Sequence, residues 1–191
     1  GDEVIVLAPY FVEYGYYIDN HGGIPVVAPT DSNFQPDLAA LSTIMTPRTR
    51  AALINSPNNP SGAVYSAELL ADLGDLLRRK GAQYDREIFL VSDEPYRRII
   101  YDGLAYPQVF PHYDATIAVT SHAKDLALPG ERIGHIAVNP SYADSAELVE
   151  GLTLCNRILG FVNAPALMQH AIRGIQGASV DVGDYQRKRD Y

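Results

Sequence analysis

Six short apolar runs punctuate the chain: Glu3–Leu7, Ile24–Ala28, Ala51–Asn55, Glu87–Val91, Thr116–Thr120 and His135–Val138. Each is continuous rather than alternating, the pattern of strands covered on both faces by helices. Between them the period lengthens. From Ser66, with Glu68 in the first turn, apolar residues return at Leu69, Leu70, Leu73, Leu76 and Leu77 until Gly81, which predicts an amphipathic helix closed by that glycine. Further helices are predicted over 11–20, 143–159 and 164–175. Strand alternating with helix defines the fold class as α/β, a mostly parallel sheet flanked by helices on both faces. No repeat, low-complexity tract or linker interrupts residues 1–191, which read as a single domain.

In such a sheet ligands gather beyond the carboxyl ends of the strands. Three polar clusters fall there: residues 55–62 after the third strand, 92–96 after the fourth and 121–124 after the fifth. In the first, Pro57, Pro60 and Gly62 fix the backbone around Asn59, which is either part of a rigid turn or a donor to an anionic oxygen. In the second, Asp93 ends an apolar run, where a carboxylate is costly to bury unless paired. It serves either as a helix cap or as partner to a buried cation such as a protonated pyridine nitrogen; Tyr96, three residues on, is core or meets a phenolic oxygen.

The third cluster, Ser121-His122-Ala123-Lys124, leads into Leu128-Pro129-Gly130-Glu131-Arg132-Ile133-Gly134. A lysine amine near pKa ~10.4 is mostly protonated at neutral pH, and burial or nearby cations activate it. Lys124 so placed can hold an aldehyde as an imine while Ser121 and Arg132 hold that aldehyde's phosphate. Pyridoxal 5'-phosphate is the aldehyde that fits, because its protein partners are a Schiff-base lysine and a charged group on the ring nitrogen. His122 reads as a ring packed beside the loop.

Composition narrows the picture further. Hydrophobic residues make up 47% and charged residues 20%, the profile of an ordinary globular protein. The net charge of -8, with no gathered basic face, argues against a nucleic-acid partner. The run Gln186-Arg187-Lys188-Arg189 reads as the solvated end of a helix. No apolar run is long enough for a bilayer span, so no membrane partner is expected. A lone cysteine, Cys155, fits a reducing, cytoplasmic compartment and reads as a buried small hydrophobe. The histidines show no metal-ligand spacing and no G-x-G-x-x-G run follows a strand, so neither a metal nor a dinucleotide site is expected.

Three motifs in order, Asn-Asn-Pro-Ser-Gly at 58–62, Ser-Asp-Glu-Pro-Tyr at 92–96 and Ser-x-x-Lys with Pro-Gly-x-Arg-x-Gly at 121–134, resemble those of class I/II aminotransferases. These are the fold-type-I enzymes dependent on pyridoxal phosphate, and the likeness covers nearly the whole chain. The resemblance implies that Lys124 forms the internal aldimine and later moves the proton between Cα and the cofactor. Asp93 would pair with the pyridine nitrogen, Asn59 and Tyr96 with the phenolic oxygen, and Ser121 and Arg132 with the phosphate. Phe11 matches the aromatic that stacks on the ring, with Tyr10 or Tyr14 as alternatives. The catalytic set is thus Lys124, Asp93 and Tyr96.

The same resemblance implies an amino group moved from an L-amino acid to a 2-oxo acid, and a homodimer in the full-length protein. Two departures stand out. The family often has serine directly before the lysine and an aromatic before that, where this chain has Ala123 and His122. The chain also reads as a large domain truncated at both ends, lacking a preceding segment that cups the phosphate and a following small domain that clamps the substrate carboxylate. Weak or no turnover by these residues alone is therefore expected. A carbon–sulfur β-lyase, or a non-catalytic domain that keeps the fold, are the competing readings.

Overall fold

The computed structural model describes residues 1–191 as one six-stranded sheet with helices packed against it. The strands are β1 (Glu3–Leu7), β2 (Ile24–Ala28), β3 (Thr49–Asn55), β4 (Phe89–Asp93), β5 (Thr116–Ser121) and β6 (Gly134–Val138), in the order β2-β1-β3-β4-β5-β6. The first five pair in parallel and β6 runs antiparallel to β5. The helices are α1 (Glu13–Asp19), α2 (Leu38–Ile44), α3 (Ala67–Tyr84), α4 (His122–Asp125), α5 (Ser145–Ile158), α6 (Ala166–Gly174) and α7 (Val182–Asp190), with 3₁₀ turns at Phe110–His112 and Pro129–Glu131.

Side chains along a strand alternate between faces, and the core divides accordingly. Ile5 and Leu7 of β1 with Ala52 and Ile54 of β3 meet α2 and α3 on one face, where Leu70, Leu73 and Leu77 are buried. Val6 and Leu53 face the other side, against Tyr14 and Ile18 of α1. Each fully buried leucine contributes about 1.5–3 kcal/mol by leaving water, so α3 is the principal anchor of the sheet. Its start is secured by Ser66, whose hydroxyl accepts from the Leu69 amide at 3.1 Å.

Several expectations are revised. Helix α3 runs through Gly81 to Tyr84 and ends at Asp85, which holds the left-handed conformation at φ 49°. Gly81 is needed for space: a Cβ there would lie 2.9 Å from the Arg86 carbonyl oxygen, where the chain folds back. The short helix α2 has a plain signal, since the Asp37 carboxylate accepts from the Ala39 and Ala40 amides at 3.0 Å. Covering on both faces holds for the central strands but not for β2 and β6, the sheet edges, where Ile24, Val27 and Ile136 stay exposed. Cys155 is exposed on α5, a helix with no buried residue, and is not part of the core. The basic run does lie on α7, but Arg189 is held, forming two hydrogen bonds to Asp102 at 2.7 and 2.8 Å.

The β5–β6 pairing bears directly on the polar strand ends, since Ser121 lies opposite Gly134. A Cβ on Gly134 would sit 2.3 Å from the Thr120 carbonyl oxygen and 3.1 Å from the Ser121 Cα. Gly134→Ala therefore forces the two strands apart and is expected to cost about 1–3 kcal/mol by urea unfolding. Gly130→Ala, whose Cβ would meet nothing within 4 Å, should stay within about 0.5 kcal/mol of the parent.

Candidate active site

Parallel pairing aligns the carboxyl ends of the central strands. Asn55, the last residue of β3, is the register partner of Asp93, the last of β4, and Asp93 in turn is opposite Val119 of β5. The ladder thus carries Asp93 and Ser121 inside their strands, one or two residues beyond the apolar runs. Asn55 stitches this edge together, donating to the Asp93 carbonyl at 2.9 Å and accepting from the Asn59 amide at 2.6 Å. The loop after β3 is closed by Asn58, whose side-chain oxygen accepts from the Ser61 amide and hydroxyl at 3.0 and 2.7 Å. Asn59 is left half-buried with its own amide side chain making no bond within the protein.

Asp93 is the electrostatic focus. Its Oδ2 accepts a short hydrogen bond from the Tyr14 hydroxyl, 2.5 Å away, and burial raises its carboxyl above the usual range, the Tyr14 bond partly opposing. Tyr14 is raised in turn by burial and by the Asp93 charge. Tyr96 is raised by the same two causes in the same order, so both phenols stay protonated as donors. Phe11 packs edge-on to Tyr14 with ring centroids 5.6 Å apart. These rings and the carboxylate thus form one contiguous group at the strand ends.

Lys124 enters from β5. Ser121 ends that strand and caps the single turn of α4, its hydroxyl accepting from the Ala123 amide at 3.1 Å. Lys124 is exposed, and its Nζ lies 5.8 Å from the centre of the Tyr96 ring. An aromatic face, rather than burial, is what this chain sets beside the amine. Arg132 follows the 3₁₀ turn in a left-handed conformation, exposed, its guanidinium donating back to the Pro129 carbonyl at 3.0 Å. It makes no bond to Ser121 but lies close enough to Tyr17 of α1 for its charge to offset part of the rise imposed there by the Glu13 hydrogen bond. Thus the structure joins Phe11, Asp93, Tyr96 and Lys124 with Asn59 along the strand ends, and sets Ser121 and Arg132 at the margin.

Three further participants were not expected from sequence. Tyr14 was foreseen only as a possible stacking ring, yet its hydroxyl holds Asp93; its spacing of one turn from Phe11 was the available signal. Asn55 ties two loops, and Asp125 is the buried last residue of α4. His122 is buried as expected. Beside Asn59 and Tyr96 a cleft of about 460 Å³ opens, closed on its far side by Leu104 and Arg189. A larger hollow of about 580 Å³, lined by Arg78, Arg86 and Tyr113, lies at the amino end of β4, away from these groups.

The donor set suits pyridoxal phosphate. A half-buried carboxylate raised by burial can take a cation, a lysine amine stands over the Tyr96 ring, and an amide, a hydroxyl and a guanidinium offer hydrogen bonds to oxygen anions. Fold and site together define a mostly parallel α/β sheet of fold type I whose strand-end groups suit that cofactor. Residues 1–185 match the family model described as aminotransferase class I and II, and the chain belongs to that family, whose cofactor is pyridoxal phosphate. It is 43% identical over 137 residues to a probable aspartate/prephenate aminotransferase of Thermus aquaticus, a match covering 71% of this chain and 34% of that protein. It is 30% identical to an alanine aminotransferase of Mycobacterium tuberculosis, over 96% of this chain and 42% of the relative. Among solved structures, an amino transferase from Eubacterium rectale superposes with a TM-score of 0.96 at 45% identity, over 99% of this chain and 48% of that one. The chain spans between a third and a half of the length of these relatives.

Asp93 sets a pH dependence whose sign follows from its environment. A carboxyl raised in the folded state stabilises fully below its unfolded value, about 3.9, and that contribution is lost as pH rises through the folded value. The cofactor-free protein should therefore lose stability over that window, and Asp93→Asn should flatten the loss in urea midpoints measured against pH. Tyr14→Phe removes the opposing hydrogen bond; the Asp93 carboxyl should then titrate at still higher pH by ¹³C NMR, with a loss of about 1–3 kcal/mol in stability.

Proposed function

We propose that the full-length protein is a pyridoxal-phosphate-dependent aminotransferase that moves an amino group from an L-amino acid to a 2-oxo acid. The observation that carries this reading is the run of groups from Tyr14 through Asp93 and Tyr96 to Lys124 along one sheet edge. When bound, the cofactor supplies a cationic ring into which electrons from the substrate's α-carbon can delocalise.

This chain's own residues divide the remaining work. Asp93 would hold the protonated ring nitrogen, and Tyr14 keeps that carboxylate fixed by occupying Oδ2. Asn59 and Tyr96 would donate to the phenolic oxygen. Ser121, whose oxygen already accepts from Ala123, keeps its own proton to donate to phosphate, and Arg132 adds a paired-donor cation. Phe11 would face the ring plane. Lys124 would hold the aldehyde carbon and, once released from it, take the α-proton of the substrate and return it two atoms away, on the former aldehyde carbon.

Exposed Val12, Tyr16 and Tyr17 along α1, beside the site, support a homodimer in which this face is covered. A single, exposed cysteine supports a reducing, cytoplasmic compartment.

The test uses the full-length protein. Wild type should retain cofactor covalently after borohydride reduction and convert amino acid to 2-oxo acid in equal measure with the reverse product. Lys124→Ala should retain none and lose about 10²–10⁴-fold or more in kcat. Release of ammonia in place of an aminated product would refute transamination.

A further inference from the structure

Lys124 stands on a helix of four residues. A single turn has no stability of its own in water, because nucleation fixes several dihedrals for one hydrogen bond. Something outside α4 must hold it. On one side the Ser121 cap supplies a bond to the Ala123 amide, and the His122 amide donates to the Ile133 carbonyl at 3.0 Å. The other side is anchored by Asp125, whose carbonyl accepts from the Val180 amide at 2.8 Å and whose Oδ2 lies 3.9 Å from an Arg98 nitrogen. Arg98 itself donates to the Ala178 carbonyl at 2.9 Å.

Within this frame His122 and Asp125, three apart, share the buried side of the turn that exposes Lys124. The His122 Nδ1 and the Asp125 Oδ1 face each other at 3.4 Å, and neither atom has a hydrogen-bond partner. Both residues are buried, at 8% and 4% exposure, so water does not readily serve them. The His135 ring, 5.9 Å from that of His122, closes the space beyond. Two orphaned buried atoms of complementary chemistry, one able to donate and one to accept, bond when the ring carries its proton on Nδ1 and turns to close the 3.4 Å gap.

We infer that His122 and Asp125 are positioning residues for Lys124: the Nδ1–H of His122 bonds the Asp125 carboxylate and locks α4, setting where the lysine amine stands above Tyr96. This rests on the reading of Lys124 as the cofactor-holding lysine. It assigns a task to the two positions beside that lysine where the chain departs from or extends its motif. The ring does not touch cofactor or substrate; it acts through the helix.

The experiment compares full-length wild type with His122→Phe, His122→Asn and Asp125→Leu. The asparagine at 122 keeps a side-chain N–H near the place of Nδ1, whereas phenylalanine fills the space without a donor. The rate at which added cofactor becomes fixable by borohydride should fall about 10- to 100-fold in His122→Phe, and by a similar factor in Asp125→Leu, which removes the acceptor. His122→Asn should recover most of it, with thermal midpoints of the two variants at 122 close together. Equal fixing rates in His122→Phe and wild type would overturn the inference, as would a loss in His122→Asn as large as in His122→Phe. Wild type itself provides a second readout that no variant's failure to fold can remove. In ¹⁵N-histidine spectra His122 should carry its proton on Nδ1 in slow exchange, and a proton found on Nε2 alone would overturn the inference. Wild type that fixes no cofactor would instead overturn the parent reading and, with it, the role given to the pair.

Discussion

The parallel ladder running from β3 through β5 is the constraint on which the site depends. Parallel pairing places the ends of neighbouring strands at a common edge, so that Asn55 and Asp93 become register partners though far apart in sequence. The α3 leucines hold that ladder from one face, and the loops beyond it inherit their positions from hydrogen bonds that start on the strands. Asn55 shows this most directly, bonding the Asp93 carbonyl with one end of its amide and the Asn59 backbone with the other. A change in register of one residue would reverse the faces of all these side chains. The sheet therefore fixes not only where the polar groups lie but which way they point.

Against that frame the Asp93 carboxylate is the energetic liability. Burial raises it, and Tyr14 offsets part of the cost with a single short bond. A carboxylate held half-buried with one donor is destabilising by itself, and a cation brought to it gains what the protein alone does not supply. The same logic applies to Glu94, the next residue, which is buried and raised by burial with Arg97 3.7 Å away. Two adjacent acids thus leave the strand end in different company: Glu94 has Tyr106, Ser92 and an arginine beside it, whereas Asp93 has only the Tyr14 phenol and no cation of the chain.

Much of this was legible in the residues. Every apolar run became a strand, and the motifs fell at the strand ends because continuous hydrophobic runs in an α/β pattern leave few other places for polar clusters. The legible part stops where partners are remote. Tyr14 and Asp93 are separated by 79 residues, and no local pattern announces a hydroxyl directed at a carboxylate across the sheet. Edge strands read like central ones, since β2 and β6 are as apolar as their neighbours and only the strand order shows which are uncovered. Lys124 was read as lying on a loop; the capping geometry of Ser121 turns that loop into one helical turn, which depends on the Ile133 carbonyl from the far side of the Pro-Gly segment. Burial of Cys155 failed for a related reason: α5 is amphipathic in sequence, yet it buries no residue against this sheet.

The two faces of the sheet do not share the load equally, and that asymmetry matters for function. The α2 and α3 face carries the large apolar core, while the α1 face has a small cluster centred on Val6, Tyr14 and Ile18. Helix α1 lacks a side-chain cap at its start, so its position depends on those few contacts and on the Tyr14 bond to Asp93. The ring of Phe11 and the hydroxyl of Tyr14 thus belong to the less strongly held part of the fold, the part from which ligand-responsive segments are drawn. A cation that pairs with Asp93 keeps that carboxylate ionised as the acceptor for Tyr14, the bond that seats α1, and by linkage its binding free energy adds to the stability of the fold. The strongly packed face sets the geometry of the strand ends, and α1, which carries Tyr14 to Asp93, is held to them by a small cluster and that one bond.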